Sequence, residues 1–151
     1  MTNCILIENQ KALLIKKPRR GWYAIPGGKM EQGETLKESV IREFGEETDL
    51  LLTNPSLIGA FTFNIFSGKT CIQEWMMFTF ICRSYTGTLT SQCVEGELEW
   101  VPLDEIISLP MAEGDRSIFN HIFTSDDILY ASFSYTSEYE LINKNLNPTV
   151  R

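Results

Sequence analysis

The segment from residue 28 to residue 50 reads GKMEQGETLKESVIREFGEETDL, and most of it has the pattern of an acidic amphipathic helix. We predict a helix over 34–48, in which Thr35 is the N-cap and Glu38, three residues later, completes a capping box. The buried side is predicted by apolar residues that recur at helical spacing, namely Leu36, Val40, Ile41 and Phe44.

Three glutamates of this helix have a spacing that puts their carboxylates on one face. Glu43, Glu46 and Glu47 lie at positions i, i+3 and i+4, at the border of the apolar stripe. Carboxylates so placed repel one another and lose hydration, so they need a counter-charge. Mg²⁺ is the cation that pairs a few carboxylates with substrate phosphates. The alternative is an acidic helix face that is merely solvated.

The residues around the glutamates favour the metal site. The segment resembles the Nudix box, whose pattern is G-x5-E-x7-R-E-U-x-E-E-x-G-U, where U is a bulky apolar residue. The preceding WYAIPG, at 22–27, also resembles the usual approach to this box. The residues that match the box are Gly28, Glu34, Arg42, Glu43, Phe44, Glu46, Glu47 and Leu50.

This resemblance implies both a fold and a reaction. Nudix hydrolases are α/β proteins with an αβα sandwich around a mixed β-sheet, and we expect that architecture here. They use Mg²⁺, for which Mn²⁺ can substitute, to cleave a nucleoside diphosphate linked to another group. The metal neutralises the diphosphate, activates a water and stabilises the leaving phosphate.

The resemblance also assigns roles to individual residues. It implies that Glu43, Glu46 and Glu47 hold the metal together with the backbone carbonyl of Gly28. Glu46, Glu47 and Arg42 are the expected catalytic residues of the box, Arg42 orienting the glutamates through charge-assisted hydrogen bonds. Two further residues of the motif have structural roles: Glu34 braces the loop against the helix, and Gly27 precedes Gly28 in the loop.

One position departs from the pattern, because Asp49 stands where the family has glycine. This position follows the helix and favours a left-handed backbone, which glycine adopts freely and aspartate tolerates less well. We expect aspartate at this position to lower the free energy of unfolding by up to roughly 1–2 kcal/mol relative to glycine. We expect no loss of chemistry, since no metal ligand is removed.

A second acidic patch, EGELEW, begins at Glu95 and ends at Trp100. Similar nucleoside triphosphate hydrolases carry a glutamate on a loop shortly before such a tryptophan. There it acts as an extra metal ligand or as a general base. We assign this role to Glu95, with Glu97 as the second choice. The alternative is an acid on a solvated loop.

Basic residues precede the box and are candidates for binding substrate phosphates. Lys16, Lys17 and Arg19, with the neighbouring Arg20, could act as charge clamps. The alternative is a loop that only adds solubility. The only histidine, His121, is expected to be an ordinary helix residue, since one histidine cannot form a histidine metal cluster.

The later part of the chain is similar to the MutT-like 8-oxo-dGTP diphosphatases. In several of these, a tryptophan at the position of Ala112 stacks on the purine and is followed by acids that read the base. Glu113 and Asp115 keep the acidic character, but Ala112 cannot stack, so Met111 or Trp22 would have to substitute. The alternative is a helix N-terminus in which Asp115 is only the cap.

Composition limits the other possibilities. The 151 residues fit one domain, 1–151, and 43% of them are hydrophobic. A net charge of −7 argues against a broad surface for duplex nucleic acid, and no apolar run is long enough to cross a membrane. The four cysteines are widely spaced and no secretory signal is visible, so we expect free thiols and a cytoplasmic protein.

Outside the box, the pattern predicts mainly strands. The run at 71–82 is almost continuously apolar from Trp75 to Phe80 and predicts a strand buried on both faces. Residues 129–135 alternate and predict an edge strand. The remaining predicted elements are a hairpin of strands at 4–8 and 12–16, strands at 22–25, 61–65 and 98–101, and short helices at 104–108 and 115–123.

We therefore expect a Mg²⁺-dependent Nudix hydrolase, monomeric or homodimeric, that converts a nucleoside triphosphate to the monophosphate and pyrophosphate. The favoured substrate is an oxidised purine nucleotide, 8-oxo-dGTP. One alternative is an RNA 5′-pyrophosphohydrolase, or a hydrolase of a nucleotide sugar or dinucleoside polyphosphate. A non-enzymatic nucleotide sensor is another, against which the intact glutamate set argues.

Overall fold

The computed structural model describes residues 1–147. Its elements are β1 (Thr2–Glu8), β2 (Lys11–Lys16), β3 (Tyr23–Ala24), β4 (Gly27–Gly28), α1 (Leu36–Thr48), β5 (Leu51–Leu52), β6 (Ser56–Ser67), β7 (Thr70–Cys82), β8 (Tyr85–Thr86), β9 (Glu97–Pro102), α2 (Leu103–Ile106), α3 (Glu113–Ile122), β10 (Leu129–Thr136) and β11 (Leu141–Asn147).

Most strands join one nine-stranded sheet. Its order is β11-β10-β6-β7-β1-β2-β3, with β4 pairing to β1 and β9 pairing to β2. The strands β1 and β7 are parallel, as are β10 and β6, whereas the other pairs are antiparallel. The mixed sheet expected for the α/β class is therefore confirmed. A separate two-stranded sheet joins β5 and β8.

The central strand β1 is buried because both of its faces are covered. Cys4 and Leu6 point into the apolar cluster beneath α1, whereas Ile5 and Ile7 point into the cluster that contains residues of α2 and α3. Alternate side chains of a strand point to opposite faces, so one strand contributes to both clusters. Helices on both sides of the sheet give the predicted αβα sandwich.

The predicted start of helix α1 is confirmed in its details. The Thr35 hydroxyl accepts a hydrogen bond from the Glu38 N–H at 3.1 Å, and the Glu38 carboxylate accepts one from the Thr35 N–H at 2.9 Å. The helix itself begins at Leu36, two residues later than predicted. At its other end, Asp49 has φ +66° and donates its N–H to the Gly45 carbonyl at 2.8 Å, so the predicted left-handed backbone is confirmed.

The prediction that the apolar run of β7 is buried on both faces is wrong. Trp75 is only half-buried, and Met76 is 49% exposed. Only the end of the strand, with Phe80 and Cys82, is part of the buried cluster under α1. The first five residues of β7, from Thr70 to Glu74, are all exposed, so both faces contact solvent at the beginning of the strand.

The prediction that residues 129–135 form an edge strand is also wrong. The strand exists as β10, but it lies between β6 and β11. The edge strand is β11, whose sequence LINKNLN is rich in asparagine and has low β-propensity, so no strand was predicted there.

Helix α3 begins at Glu113, with Ala112 as its N-cap residue and no side-chain cap. The alternative in which Asp115 caps this helix is therefore wrong, because Asp115 lies inside the first turn. Within residues 1–147 no helix has both the length and the apolar character required to cross a membrane.

Candidate active site

The short strand β4 brings two glycines into close contact with their neighbours. A side chain at Gly28 would place its Cβ 2.2 Å from the Oε2 atom of Glu43. A side chain at Gly27 would place its Cβ 2.1 Å from the backbone oxygen of Thr2 on β1. The absence of a side chain puts the Gly28 backbone directly against a carboxylate of α1.

Arg42 connects the loop before α1 to the helix. Its Nε and Nη2 atoms donate to the two carboxylate oxygens of Glu34 at 2.6 and 2.8 Å, a two-point pairing. The Arg42 guanidinium, helped by the Glu31 N–H, lowers the pKa of Glu34 to about 2. Arg42 also donates to the Lys29 carbonyl at 3.0 Å, so the loop is held to the helix at several points.

The same arginine contacts two of the predicted metal ligands. Its Nη1 atom donates to Glu43 at 2.9 Å and to Glu46 at 3.2 Å. The pKa of Arg42 is raised, first by Glu34 and then by Glu43, so the guanidinium is firmly charged. Arg42 therefore contacts both Glu43 and Glu46, as a residue that orients these glutamates must. Its orienting role stays a prediction.

Glu47 differs from Glu43 and Glu46 in that one of its carboxylate oxygens, Oε2, is buried without a hydrogen-bond partner among residues 1–147. Burial raises the pKa of Glu47 to about 7; Lys17 opposes the rise, while Glu95 and Glu43 add to it. A buried carboxylate oxygen without a partner is costly unless a cation or a proton binds it.

These features fit a divalent cation. Carboxylate oxygens are the ligands that Mg²⁺ prefers. The Oε2 atom of Glu47 lacks a hydrogen-bond partner in the described residues, and the Gly28 backbone lies against the Glu43 carboxylate. Within residues 1–147, no three acidic, histidine or cysteine side chains already surround one point that a metal could occupy. The carboxylates of Glu43 and Glu46 are held by ion pairs with Arg42.

The loop before β9 adds a further acid to this centre. Glu95 accepts a hydrogen bond from Lys17 at 3.3 Å, and both residues influence the pKa of Glu47. Glu97 lies on β9 opposite Lys16 of β2, and its charge acts on Tyr23 instead. Glu95 therefore pairs with Lys17 and is close enough to Glu47 for its charge to act on that carboxylate.

A cavity of about 370 Å³ has in its wall Lys17, the residue that pairs with Glu95. Lys17, Arg19, Trp22 and Asp115, which sequence reasoning selected separately, all line it. The other lining residues are Arg20, Tyr23, Ala24, Ala112 and Tyr139.

Two predicted substrate-binding residues do not line this cavity. Lys16 is exposed, with its Nζ atom 6.0 Å from the centroid of the Tyr23 ring. Glu113 is paired with Arg116, whose Nε atom lies 3.2 Å from the Glu113 carboxylate. Met111, considered as a stacking residue, is buried in the apolar core.

Asp115 gives the cavity a polar group with unusual titration. Burial raises the pKa of Asp115 to about 7, so near neutral pH it can either donate or accept a hydrogen bond. Beside it, the buried Tyr135 hydroxyl accepts a hydrogen bond from the Gly114 N–H at 2.8 Å. Burial raises the pKa of Tyr135 to about 12, and the charge of Asp115 contributes to the rise.

Sequence reasoning missed two aromatic residues of the cavity, Tyr23 and Tyr139. Tyr23 follows Trp22 in the segment that precedes the box, and this position could have indicated that Tyr23 lies at the site. Tyr139 lies in the turn between β10 and β11, far from every recognisable motif, and nothing in the sequence indicated that it lines the cavity.

Comparison with known proteins places this site in a family. Residues 2–122 match the family model described as the NUDIX domain. An uncharacterised Nudix hydrolase of Bacillus subtilis, YvcI, is 48% identical over 98% of this chain and 94% of its own length. The crystal structure of a Mutator MutT protein from Bacillus halodurans has a TM-score of 0.95, with 46% identity, over 99% of this chain and 97% of that one.

Other relatives match over smaller shares. An ADP-ribose pyrophosphatase of Methanocaldococcus jannaschii is 44% identical over 61 residues, which are 38% of this chain and 36% of that protein. Further relatives are named as an NAD-capped RNA hydrolase in Vibrio and as an 8-oxo-dGDP phosphatase in mouse, and the chain spans 47% and 31% of their lengths. The match to the family model and the two relatives that align over nearly their full lengths agree with the sequence motif at residues 28–50 and with the αβα fold. The chain belongs to the Nudix hydrolase family.

Proposed function

We propose that this protein is a Mg²⁺-dependent hydrolase that cleaves a nucleoside triphosphate between the α and β phosphorus atoms, with 8-oxo-dGTP as its preferred substrate. The products are the nucleoside monophosphate and pyrophosphate. Free thiols at all four cysteines fit an enzyme of the reducing cytoplasm.

The observation that carries the proposal is the position of Lys17 between two sites. Lys17 lines the aromatic cavity, and its ammonium group also pairs with Glu95 and acts on Glu47. A nucleotide whose base occupies the cavity therefore has its phosphates directed past a cation toward the carboxylates. Lysine and arginine bind phosphate oxygens by charge-assisted hydrogen bonds, and Arg19 lines the same cavity.

Glu43, Glu46 and Glu47, together with the Gly28 carbonyl, would hold Mg²⁺. When bound, the ion neutralises phosphate charge and lowers the pKa of water, so that hydroxide is available near neutral pH. Glu47 and Glu95, both beside Lys17, are positioned to accept the proton of the attacking water. Arg42 keeps Glu43 and Glu46 in place through its two hydrogen bonds from Nη1.

The preference for an oxidised purine rests on Asp115 and the rings around it. Trp22 and Tyr23 supply flat apolar surface at the cavity, and Asp115 supplies one polar group that can donate or accept. An acid of this kind can bond to the N–H groups or the carbonyl of a guanine-type edge. The likeness of residues 95–115 to 8-oxo-dGTP diphosphatases, and the structural relative with the name MutT, support the same substrate class.

The experiment is a kinetic panel on wild-type protein and Asp115→Ala. We expect the wild type to prefer 8-oxo-dGTP over dGTP and dCTP. Loss of a buried hydrogen bond should raise KM for 8-oxo-dGTP about tenfold or more, with about a twofold change at most for dCTP. Asp104→Ala, which removes an exposed acid of α2, is the matched control and should match the wild type.

The same panel tests the other family reactions. ADP-ribose and 5′-triphosphorylated RNA are added, and pyrophosphate and orthophosphate are measured separately. Greater activity on either of these substrates would replace the proposed substrate but keep the hydrolase. Binding of nucleotides without any turnover would instead indicate a nucleotide sensor.

A further inference from the structure

The hairpin of β10 and β11 contributes to the cavity, although it lies outside the matched residues 2–122. Its turn is closed by hydrogen bonds around one residue: Thr136 donates its N–H to the Glu140 carbonyl at 2.8 Å and accepts the Tyr139 N–H at 2.9 Å. This turn carries Tyr139 to the cavity wall. Tyr139 is one of the residues that line the cavity, and it is 42% exposed.

Two neighbours, Arg20 and Tyr135, contact the Tyr139 ring. The Arg20 guanidinium lies over it at 5.2 Å and over the Trp22 ring at 5.5 Å, distances typical of cation–π contacts. Arg20 also donates to the Glu138 carbonyl at 2.8 Å, which ties the loop before β3 to the hairpin turn. On the core side, the Tyr135 ring is 6.2 Å from Tyr139.

The backbone at both partners has an unusual conformation. Arg20 has φ +70° and Tyr139 has φ +64°, a left-handed conformation that bulky side chains rarely adopt. Both residues line the same cavity, and they are the two partners of one cation–π contact. Such conformations persist where the surrounding structure enforces them, and they concentrate at ligand sites.

We propose that the β10–β11 hairpin is a base-binding element, in which the Tyr139 ring, positioned by Arg20, forms a cavity wall on which the flat base of the substrate stacks. This inference rests on the proposed function, because it takes the cavity to be the base site. It adds a residue from outside the family motif, and it gives Arg20 a positioning role in place of direct phosphate binding. Stacking accepts any flat ring, so Tyr139 supplies affinity for the base, whereas Asp115 distinguishes between bases.

The test is the binding of 8-oxo-dGMP without metal, measured by titration calorimetry. Tyr139→Ala should weaken binding about tenfold, which is about 1.4 kcal/mol. Tyr139→Phe keeps the ring and should bind like the wild type. Tyr130→Ala, which removes an exposed tyrosine of the same strand pair away from the cavity, is the matched control and should also leave binding unchanged.

Further measurements separate stacking from a structural clip. Deoxyribose 5-phosphate has no base, so its binding should be the same in the wild type and Tyr139→Ala. With 8-oxo-dGTP, Tyr139→Ala should raise KM and leave kcat within about twofold of the wild type. If Arg20 acts through Tyr139, the double variant Arg20→Gln/Tyr139→Ala should bind 8-oxo-dGMP no more weakly than Tyr139→Ala alone.

Equal binding of 8-oxo-dGMP by Tyr139→Ala and the wild type would overturn the inference. So would wild-type binding of 8-oxo-dGMP no tighter than that of deoxyribose 5-phosphate, since the cavity would then not bind a base. A wild type without hydrolase activity, in which Tyr139→Ala still loses base-dependent binding, would overturn the proposed function and leave this inference intact.

Discussion

Gly27 and Gly28 are adjacent in β4, but each faces a different kind of neighbour. A Cβ at Gly28 meets the end of the Glu43 side chain, which can rotate away. A Cβ at Gly27 meets the backbone of Thr2 and Asn3, which cannot move without disturbing the central strand β1. Gly28 therefore affects the position of Glu43, a predicted metal ligand, whereas Gly27 affects the pairing of β4 with β1.

Alanine substitutions should separate these two effects. Gly28→Ala should displace the Glu43 carboxylate and lower kcat about 10- to 100-fold, as loss of support for a metal ligand does, with little change in stability. Gly27→Ala should lower the free energy of unfolding by about 1–3 kcal/mol, because the added methyl overpacks a strand pair. Urea unfolding and initial rates measure both, and equal losses of stability in the two variants would contradict the assignment.

Several residues of the candidate site could be proposed from the sequence alone. Glutamates spaced along one helix, and Asp115 in a segment similar to base-reading enzymes, could be selected because they lie within local motifs. Tyr139 could not, since it reaches the cavity only through the turn of a hairpin whose second strand has no strand signal. Contacts made through tertiary pairing leave no local pattern in the chain.

At the scale of elements, helix α1 was the most predictable part of the molecule. Its capping box and its left-handed end depend on interactions within a few residues, and both were read correctly. The burial of β7 and the position of β10 depend instead on which elements lie beside them. Apolar content could not predict that α1 covers only the end of β7, nor that β11 pairs beyond β10.

The left-handed Asp49 at the end of α1 gives a prediction about stability. Asp49→Gly should raise the free energy of unfolding by up to about 1 kcal/mol, because glycine relieves the left-handed strain but adds entropy to the unfolded chain. Catalysis should not change, since Asp49 contributes no predicted ligand. Chemical denaturation and kcat/KM are the measurements. A less stable Asp49→Gly protein would show that the Asp49 side chain stabilises the native state.

At the scale of the whole molecule, the site combines segments that are distant in sequence. Helix α1 supplies the glutamates, the loop after β2 supplies Lys17, and the loop before β9 supplies Glu95. The sheet brings these segments together because β2 pairs with both β3 and β9. The family resemblance predicted this assembly; composition and periodicity alone could not have done so.

We expect the carboxylates of Glu43, Glu46 and Glu47 to hold a metal ion that is required for hydrolysis. The most direct test is the hydrolysis rate of wild type and Glu47→Gln, measured with Mg²⁺ and with chelator, while circular dichroism monitors folding. We expect chelator to abolish wild-type turnover and Mg²⁺ to restore it. Glu47→Gln should remain folded and lose roughly 1000-fold or more in kcat, within the range of metal and general-base contributions. Glu105→Gln, on exposed α2, should keep wild-type activity. A folded Glu47→Gln protein with full turnover in chelator would show that hydrolysis requires neither this carboxylate nor a metal ion.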